Sequence, residues 1–326
     1  MPSKTYLNTI ILAAGKGTRM KSPEIPKVLH KVNGESMIRR VVRNACKIGS
    51  KNIIIVIGYK GDMVRKDVSD MIAEYERVNN SDNTGYNTEY NTEYKRKFPA
   101  FITYVEQKEQ LGTGHAVQQC IGKLKFISNM LKYNVDKYKR PVIKRTGVLV
   151  LCGDVPCLKV PTLDKLVKRF NKKIDIWNVE DGSIKKVLPD VAILSAFVNN
   201  PHGYGRICRT SPTTLSIVEE KDATVKQKRI NEINAGIYIF RIGELIEKLP
   251  QLTNNNAQNE YYLTDLVGMM CPAVVSTVDD VNEIVGINTI EQLKEVNKRL
   301  KSYVQKGLEL ISNGLETVID ELYYIQ

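Results

Sequence analysis

Three cations and two glycines mark the stretch where chemistry is most concentrated. In LAAGKGTRMKSPEIPKVLH, residues 12–30, Lys16, Arg19 and Lys27 crowd around Gly15 and Gly17. Glycine lets a backbone run close to a bulky anion and turn its N–H groups toward it. Pro23 and Pro26 stiffen the segment carrying Lys27. Such a set suits a polyphosphate, whose charge must be held and neutralised. Two better-known phosphate loops fail here. No Gly-Lys-Ser/Thr triplet follows at P-loop spacing, and Met20 stands where a dinucleotide fingerprint needs its third glycine. A glycine turn at a sheet edge with surface lysines fits the same residues, so this stretch alone leaves both readings open.

Three further groups could complete a site. Glu106 and Gln107 lead into the turn Gln110-Leu111-Gly112-Thr113-Gly114, where an amide and free backbone could read the edge of a base. A glycine pair that merely ends a strand explains that turn equally, and His115 falls in the first turn of the helix that follows. Asp154, in Cys152-Gly153-Asp154-Val155-Pro156, could hold Mg²⁺, which takes one or two carboxylates plus substrate phosphates; a turn or cap aspartate is the alternative. Gly205, Glu219, Asn234 and the polar run from Thr253 to Glu260 suit a hydroxyl-rich sugar, although each alone is more often a turn or cap residue.

The elements that must position these groups follow from periodicity. Ile10–Leu12, Ile53–Ile57, Phe101–Val105 and Gly147–Leu151 read as strands, mostly unbroken apolar runs buried on both faces. Ser36 caps a helix over Met37, Ile38, Val41, Val42, Ala45 and Ile48 that stops at Gly49, and a second helix runs from Gly61 to Val78. Strand alternating with helix predicts an α/β fold of Rossmann-like type with a mostly parallel central sheet. Asp154 then lies at the carboxyl end of a strand, where open α/β sheets bind ligands. Beyond Asp190 the pattern predicts strands at Val191–Val198, Ile233–Phe240, Pro272–Val278 and Ile284–Ile287. A small antiparallel hairpin is expected over 206–219, a helix over Tyr261–Met270 and an amphipathic helix from Thr289. Residues 79–97, 130–145 and 172–188 read as polar insertions, the third holding the single tryptophan, Trp177. The division expected is a body over 1–288 and a C-terminal helical arm over 289–326.

The net charge of +12 raises the possibility of nucleic acid, but the lysines are dispersed and no aromatic-studded basic motif occurs, so nucleic acid is not expected. No apolar run nears the ~20 residues of a membrane span. Six scattered cysteines without a Cys-x-x-Cys pair point away from a disulfide framework or zinc site and toward the cytoplasm.

The segments LAAGKGTRMKS, PKVLHKVNGESM, QLGTGHAVQ, GDVP, GYGR, IVEEKDAT, EINAGIY, NNNAQNEYYLTD and GIN occur in one order. Together they resemble the uridylyltransferase (pyrophosphorylase) domain of the bacterial bifunctional N-acetylglucosamine-1-phosphate uridylyltransferase / glucosamine-1-phosphate acetyltransferase. The resemblance covers residues 7–325 apart from the insertions. It implies the nucleotide-diphospho-sugar transferase type of fold and a Mg²⁺-assisted, in-line attack by N-acetylglucosamine 1-phosphate on the α-phosphate of UTP. UDP-N-acetylglucosamine, a peptidoglycan precursor, and pyrophosphate would result. On this resemblance Leu12, Ala13, Ala14, Gly15 and Lys27 hold the triphosphate, and Arg19 neutralises its β- and γ-phosphates. Gln107, Gly112 and Thr113 recognise uracil, while Asp154 and Asn288 coordinate Mg²⁺. Gly205, Glu219 and Asn234 bind the amino sugar, in a pocket that Tyr262 and Thr264 help to form.

The chain departs from the family at Cys152, where a tyrosine is usual, and at Val285, where an acidic residue is usual. No hexapeptide repeat of the family's left-handed β-helix is visible, and LISNGLETVIDELYYIQ resembles a worn version of the segment entering it. Neither acetyl transfer nor the β-helix trimer is therefore expected, and a monomer or dimer is. The remaining alternatives are another sugar 1-phosphate, such as N-acetylmuramic acid 1-phosphate, and a non-catalytic homologue.

Overall fold

The computed structural model describes residues 6–81, 101–135, 141–177 and 182–312, with side chains left out of account at 78–81 and 306–312. In chain order it comprises β1 (Tyr6–Ala13), the short pair β2 (Lys31–Val32) and β3 (Glu35–Ser36), α1 (Met37–Lys47), β4 (Asn52–Ile57), α2 (Gly61–Ser81) and β5 (Phe101–Glu106). Next come α3 (Thr113–Gln118), α4 (Ile121–Leu131), β6 (Thr146–Cys152), α5 (Val160–Asn171), the hairpin β7 (Ile174–Trp177) and β8 (Ile184–Val187), and β9 (Val191–Phe197). The chain continues through β10 (Arg206–Arg209), β11 (Leu215–Val218), α6 (Val225–Lys228), β12 (Glu232–Arg241), α7 (Ile242–Lys248), α8 (Asp265–Gly268), β13 (Ala273–Thr277) and α9 (Ile290–Ser312).

The main sheet runs β11-β10-β12-β6-β1-β4-β5, with β9 on β12 and β13 on β9. Its heart, β6-β1-β4-β5, is parallel, and β1 lies between β6 and β4 with Leu12 opposite both Cys152 and Val56. Residues along β1 alternate between two cores, as a strand covered on both faces must. Leu7, Ile11 and Ala13 join the layer that includes residues of α1, α2 and α5. Ile10 and Ala14 join the layer that includes residues of α3, α4, α7 and α8. The carboxyl ends of β1, β4, β5 and β6 therefore open on one edge, and each delivers part of the site.

Strand β12 reverses the sheet's direction, pairing antiparallel with β6 through Tyr238–Arg241 and with β10 at Ile233. Its register against β9 shifts between Asn234 and Tyr238, where Gly236 takes φ +72°. That bulge changes which neighbour the strand serves and bends it at the site, a recurrent use of bulges.

Several expected elements differ. The helix expected over Tyr261–Met270 shrinks to Asp265–Gly268, because the preceding backbone is engaged elsewhere. Tyr261 donates its N–H to the Leu111 carbonyl at 2.8 Å and accepts from the Gly114 N–H at 2.7 Å, which no helix could supply. Ile284–Ile287 forms no strand: Val281–Ile284 is a 3₁₀ turn, and the apolar residues fill the core while the Ile287 N–H donates to the Asp154 carbonyl. Part of the third insertion is the hairpin of β7 and β8, whose Trp177 is exposed. α2 runs past Val78 to Ser81, and the rest of the first insertion, with 136–140 of the second and 178–181 of the third, lies outside the described residues. So does the end of the chain from 313.

Helix α9 is seated on the body. Val296 and Leu300 pack with Val32, Met37 and Ile287, and Asn297 accepts the Asn33 N–H at 2.7 Å.

Candidate active site

β1 ends in Ala13, and the backbone then turns through Gly15 to Gly17, which sits at φ +64°. A Cβ on Gly17 would lie 2.5 Å from the Lys27 Cβ, so glycine is what lets this loop lie against the lysine stem. Buried Met20 and Val28 anchor the loop at either end while Lys16 and Arg19 stay exposed. Gly153, after β6, closes on the same place: a Cβ there would meet the Leu12 carbonyl oxygen at 3.0 Å and Val28 at 3.1 Å.

Four charged or amide groups from distant segments converge here. The Lys27 ammonium donates to Asp154 Oδ2 and, at 3.0 Å, to Asn288 Oδ1, which also accepts from Arg19 Nη2 at 3.0 Å. The Asn288 amide cannot be reversed without loss, because its Nδ2 donates to the Gly286 carbonyl at 3.2 Å. A carboxylate and an amide oxygen are thus fixed around one cationic position. Paired oxygens of this kind, one carboxylate and one amide, are donors of the type that Mg²⁺ takes from protein, one or two carboxylates together with substrate phosphates. Among the described residues no group of three or more His, Cys, Asp or Glu side chains could share an ion.

The second group lies at the end of β5. Gln107 is 4% exposed, its N–H donates to the Ile57 carbonyl at 2.8 Å, and its Nε2 donates to the Gly112 carbonyl at 3.1 Å. Gly58 fills the gap between it and β1, since a Cβ there would sit 2.7 Å from the Ala14 carbonyl and 3.0 Å from that of Gln107. Gly112 has φ +106°, and Thr113 Oγ1 accepts the Leu263 N–H at 3.2 Å.

The third group surrounds the bulge in β12. Asn234 donates its backbone N–H to Gly205 at 2.9 Å and its Nδ2 to the Tyr238 hydroxyl at 2.6 Å, while its Oδ1 accepts the Gly236 N–H at 3.1 Å. Thr264 donates to Glu219 Oε1 at 3.1 Å, and a Cβ on Gly205 would lie 3.3 Å from Glu219 Oε2. Burial pushes the Glu219 carboxyl up, and the Thr264 hydrogen bond opposes that. Tyr262 is buried, accepts from Gln258 Nε2 at 2.8 Å, and has its phenol pushed up to about 12, chiefly by burial. Cys152 Sγ, 3.6 Å from the Gly236 carbonyl, links this group to Asp154; burial pushes its thiol up to about 12.

The sequence-predicted residues thus fall into three contiguous clusters around the carboxyl edge of the sheet. Sequence reasoning missed four supporting residues: Gly58, Tyr238, His115 as a partner of Gln107, and Gln292. Only Gln292 had a legible signal. Thr289-Ile-Glu-Gln292 is a capping box, with Gln292 Oε1 accepting the N–H groups of Asn288 at 2.7 Å and Thr289 at 3.1 Å.

A doubly covered parallel sheet, a glycine turn after its first strand and cations facing a carboxylate define a nucleotidyltransferase. Solved structures agree on the fold: apo UDP-glucose pyrophosphorylase superposes with a TM-score of 0.58 at 16% identity, covering 91% of this chain and 98% of that one. UDP-glucose pyrophosphorylase complexed with UDP-glucose gives 0.53 at 16% identity, over 92% and 99%.

The chain belongs to the MobA-like NTP transferase domain family, whose model matches residues 9–195. The bifunctional protein GlmU of Trichodesmium erythraeum is 35% identical over 95% of this chain and 56% of its own length. That of Clostridium beijerinckii is 33% identical over 98% and 57%. The chain therefore spans about half the length of these curated relatives. No described helix is long and apolar enough to cross a membrane.

Proposed function

We propose that the chain transfers the uridylyl group of UTP to N-acetylglucosamine 1-phosphate, forming UDP-N-acetylglucosamine and pyrophosphate. The observation that carries this reading is the meeting of Arg19, Lys27, Asp154 and Asn288, from three remote segments, on one cationic position. The similarity to relatives named bifunctional protein GlmU, with the motifs that carry the resemblance, supports a sugar 1-phosphate as the acceptor.

An oxygen of the sugar phosphate attacks the α-phosphorus, and the bond to the bridging oxygen of the departing pyrophosphate breaks. A phosphate nucleophile is already ionised, so the chain needs no strong base. Its task is alignment and charge neutralisation. The Ala13–Gly17 turn supplies N–H groups to the triphosphate, and Arg19 and Lys27 compensate charge that grows on the leaving group. Asp154 and Asn288 would hold Mg²⁺, which when bound supplies further positive charge to phosphate oxygens. Gln107, Gly112 and Thr113 take the base. Gly205, Glu219, Asn234, Tyr262 and Thr264 take the amino sugar through its hydroxyl and amide groups.

The test is pyrophosphate release from UTP over a panel of sugar 1-phosphates with and without Mg²⁺, including the bulkier N-acetylmuramic acid 1-phosphate. Preference for N-acetylglucosamine 1-phosphate is expected. Turnover with another sugar alone would move the acceptor assignment, and UTP binding without turnover would overturn the catalytic one.

A further inference from the structure

Gln107 reads a base only if the correct end of its amide faces outward, and the neighbouring ring decides which end that is. Nε2 of Gln107 lies 3.1 Å from the Gly112 carbonyl oxygen and 3.1 Å from Nδ1 of His115. A carbonyl only accepts, so the nitrogen is correctly placed there, and its two hydrogens are both engaged provided that Nδ1 carries a lone pair. Among the described residues no hydrogen bond reaches Oε1.

The far side of the ring meets a second amide. Gln119 Nε2 is 2.9 Å from His115 Nε2 and also donates to the His115 carbonyl at 3.1 Å. A neutral imidazole has one N–H and one lone pair, so it cannot accept from both amides. One of the two glutamines has to present its oxygen to the ring. Turning Gln107 would set its Oε1 against the Gly112 oxygen in a buried place, where an uncompensated polar contact costs most. Gln119 is only half-buried, so its amide can reverse to give Oε1 to the ring proton, leaving its Nε2 and the His115 carbonyl to water at less cost. The balance therefore falls on one arrangement: the proton on Nε2, donated to Gln119, and the lone pair on Nδ1, received from Gln107. The ring itself is held 6.1 Å from that of Tyr261, whose backbone clamps the Gly112–Gly114 turn.

We propose that His115 is a positioning residue for base selection: its Nδ1 lone pair fixes the Gln107 amide so that Oε1 faces the nucleotide and accepts from N3–H of uracil. Cytosine presents a lone pair at N3 and would meet another lone pair. This rests on the uridylyl reading of the site and adds to it the device that enforces the choice of base.

The experiment compares kcat/KM for UTP and CTP in wild type, His115→Leu and His115→Asn, and records nitrogen-15 imidazole spectra of the wild type, whose only histidines are 30, 115 and 202. His115→Leu removes the acceptor, and the UTP/CTP ratio is expected to fall by roughly tenfold to a hundredfold. Asparagine places Oδ1 near the position of Nδ1, so His115→Asn is expected to recover most of that ratio. The spectra are expected to show the proton of His115 on Nε2. A wild type with no preference for UTP would overturn the base assignment itself. A UTP-selective wild type whose ratio survives His115→Leu, or a His115 proton found on Nδ1, would overturn the positioning role alone. Should the leucine variant not fold, the spectra of the intact chain decide.

Discussion

The ammonium of Lys27 rests on the carboxylate of Asp154, with the two side chains 15% and 21% exposed. These residues stand far apart in sequence, on the 3₁₀ turn Lys27–Leu29 and just beyond β6, and Asn288 receives the same ammonium at 3.0 Å. The two oxygens that receive the lysine are the ones proposed above to hold Mg²⁺. Asp154→Asn keeps an acceptor for Lys27 but removes the charge that would bind Mg²⁺. Its kcat is expected to fall by roughly a hundredfold or more, with thermal unfolding displaced only slightly. Millimolar Mg²⁺ plus UTP should raise the unfolding temperature of the wild type and leave that of the variant unmoved. A variant that turns over near the wild-type rate would remove Asp154 from the site.

Gly17→Ala tests the loop that carries the cations. The new methyl group would lie 2.5 Å from the Lys27 Cβ at a residue with φ +64°. A loss of about 1–3 kcal/mol in urea unfolding is expected, together with a raised KM for UTP. Gly34→Ala is the control: it too has positive φ, +84°, but no atom lies within 4 Å of its Cβ. It should cost about 1–2 kcal/mol through the backbone alone and leave KM unchanged. Equal effects of the two on KM would mean that Gly17 serves only the turn.

The parallel heart of the sheet was legible because Ile10–Leu12, Ile53–Ile57 and Gly147–Leu151 are apolar without interruption, a pattern that only double coverage explains. Of the candidate site, the sequence marked Arg19, Lys27 and Asp154 as positions of interest, and the fold brings them together; their roles came from the resemblance and not from residue type. What periodicity could not reveal was backbone borrowed over distance. Tyr261 to Thr264 are helix-like in composition, yet the partners of Tyr261 and Leu263 lie in the Leu111–Gly114 turn. Ile284 and Ile287 are apolar enough for a strand, but the Ile287 N–H is engaged by Asp154 and no ladder forms. His115 was hidden for another reason: its role depends on which of two amides must yield to one ring proton.

Asp190, in the turn between β8 and β9, predicts a pH dependence of stability. Burial, followed by the nearby Glu244 carboxylate, raises its carboxyl from 3.8 to about 6, against the pull of Arg241. A group with its folded value raised binds more protons folded than unfolded throughout that interval. Its contribution to stability is therefore greatest below the unfolded value, falls as pH rises toward about 6, and is flat above. Asp190→Asn removes this dependence. The difference in urea midpoint between variant and wild type should shift in favour of the variant as pH rises from 4 to 6.5, and a constant difference would contradict the assignment.

Gln292 allows helix stability and the proposed ion binding to be tested with one side chain, which caps α9 and touches the backbone of Asn288. Its Oε1 accepts two successive N–H groups, of Asn288 at 2.7 Å and Thr289 at 3.1 Å, while the Gln292 N–H donates to Thr289 Oγ1 at 3.2 Å. The cap therefore starts α9 and, in the same contact, fixes the backbone of the residue whose amide oxygen faces Lys27 and Arg19. Gln292→Ala should cost about 0.5–2 kcal/mol as a lost cap. It should also raise the Mg²⁺ concentration needed for half-maximal activity by roughly tenfold to a hundredfold, as loss of a supporting bond behind a ligand does. Gln292→Glu keeps an acceptor near the positive end of the helix and should restore both. The two readouts need not move together: a helix that is merely capped would lose stability and keep its response to Mg²⁺. An alanine variant less stable than wild type but saturated by the same Mg²⁺ concentration would thus show that the side-chain contacts of Asn288 with Gly286, Lys27 and Arg19 hold it without the cap, and that α9 supports the body without tuning the site.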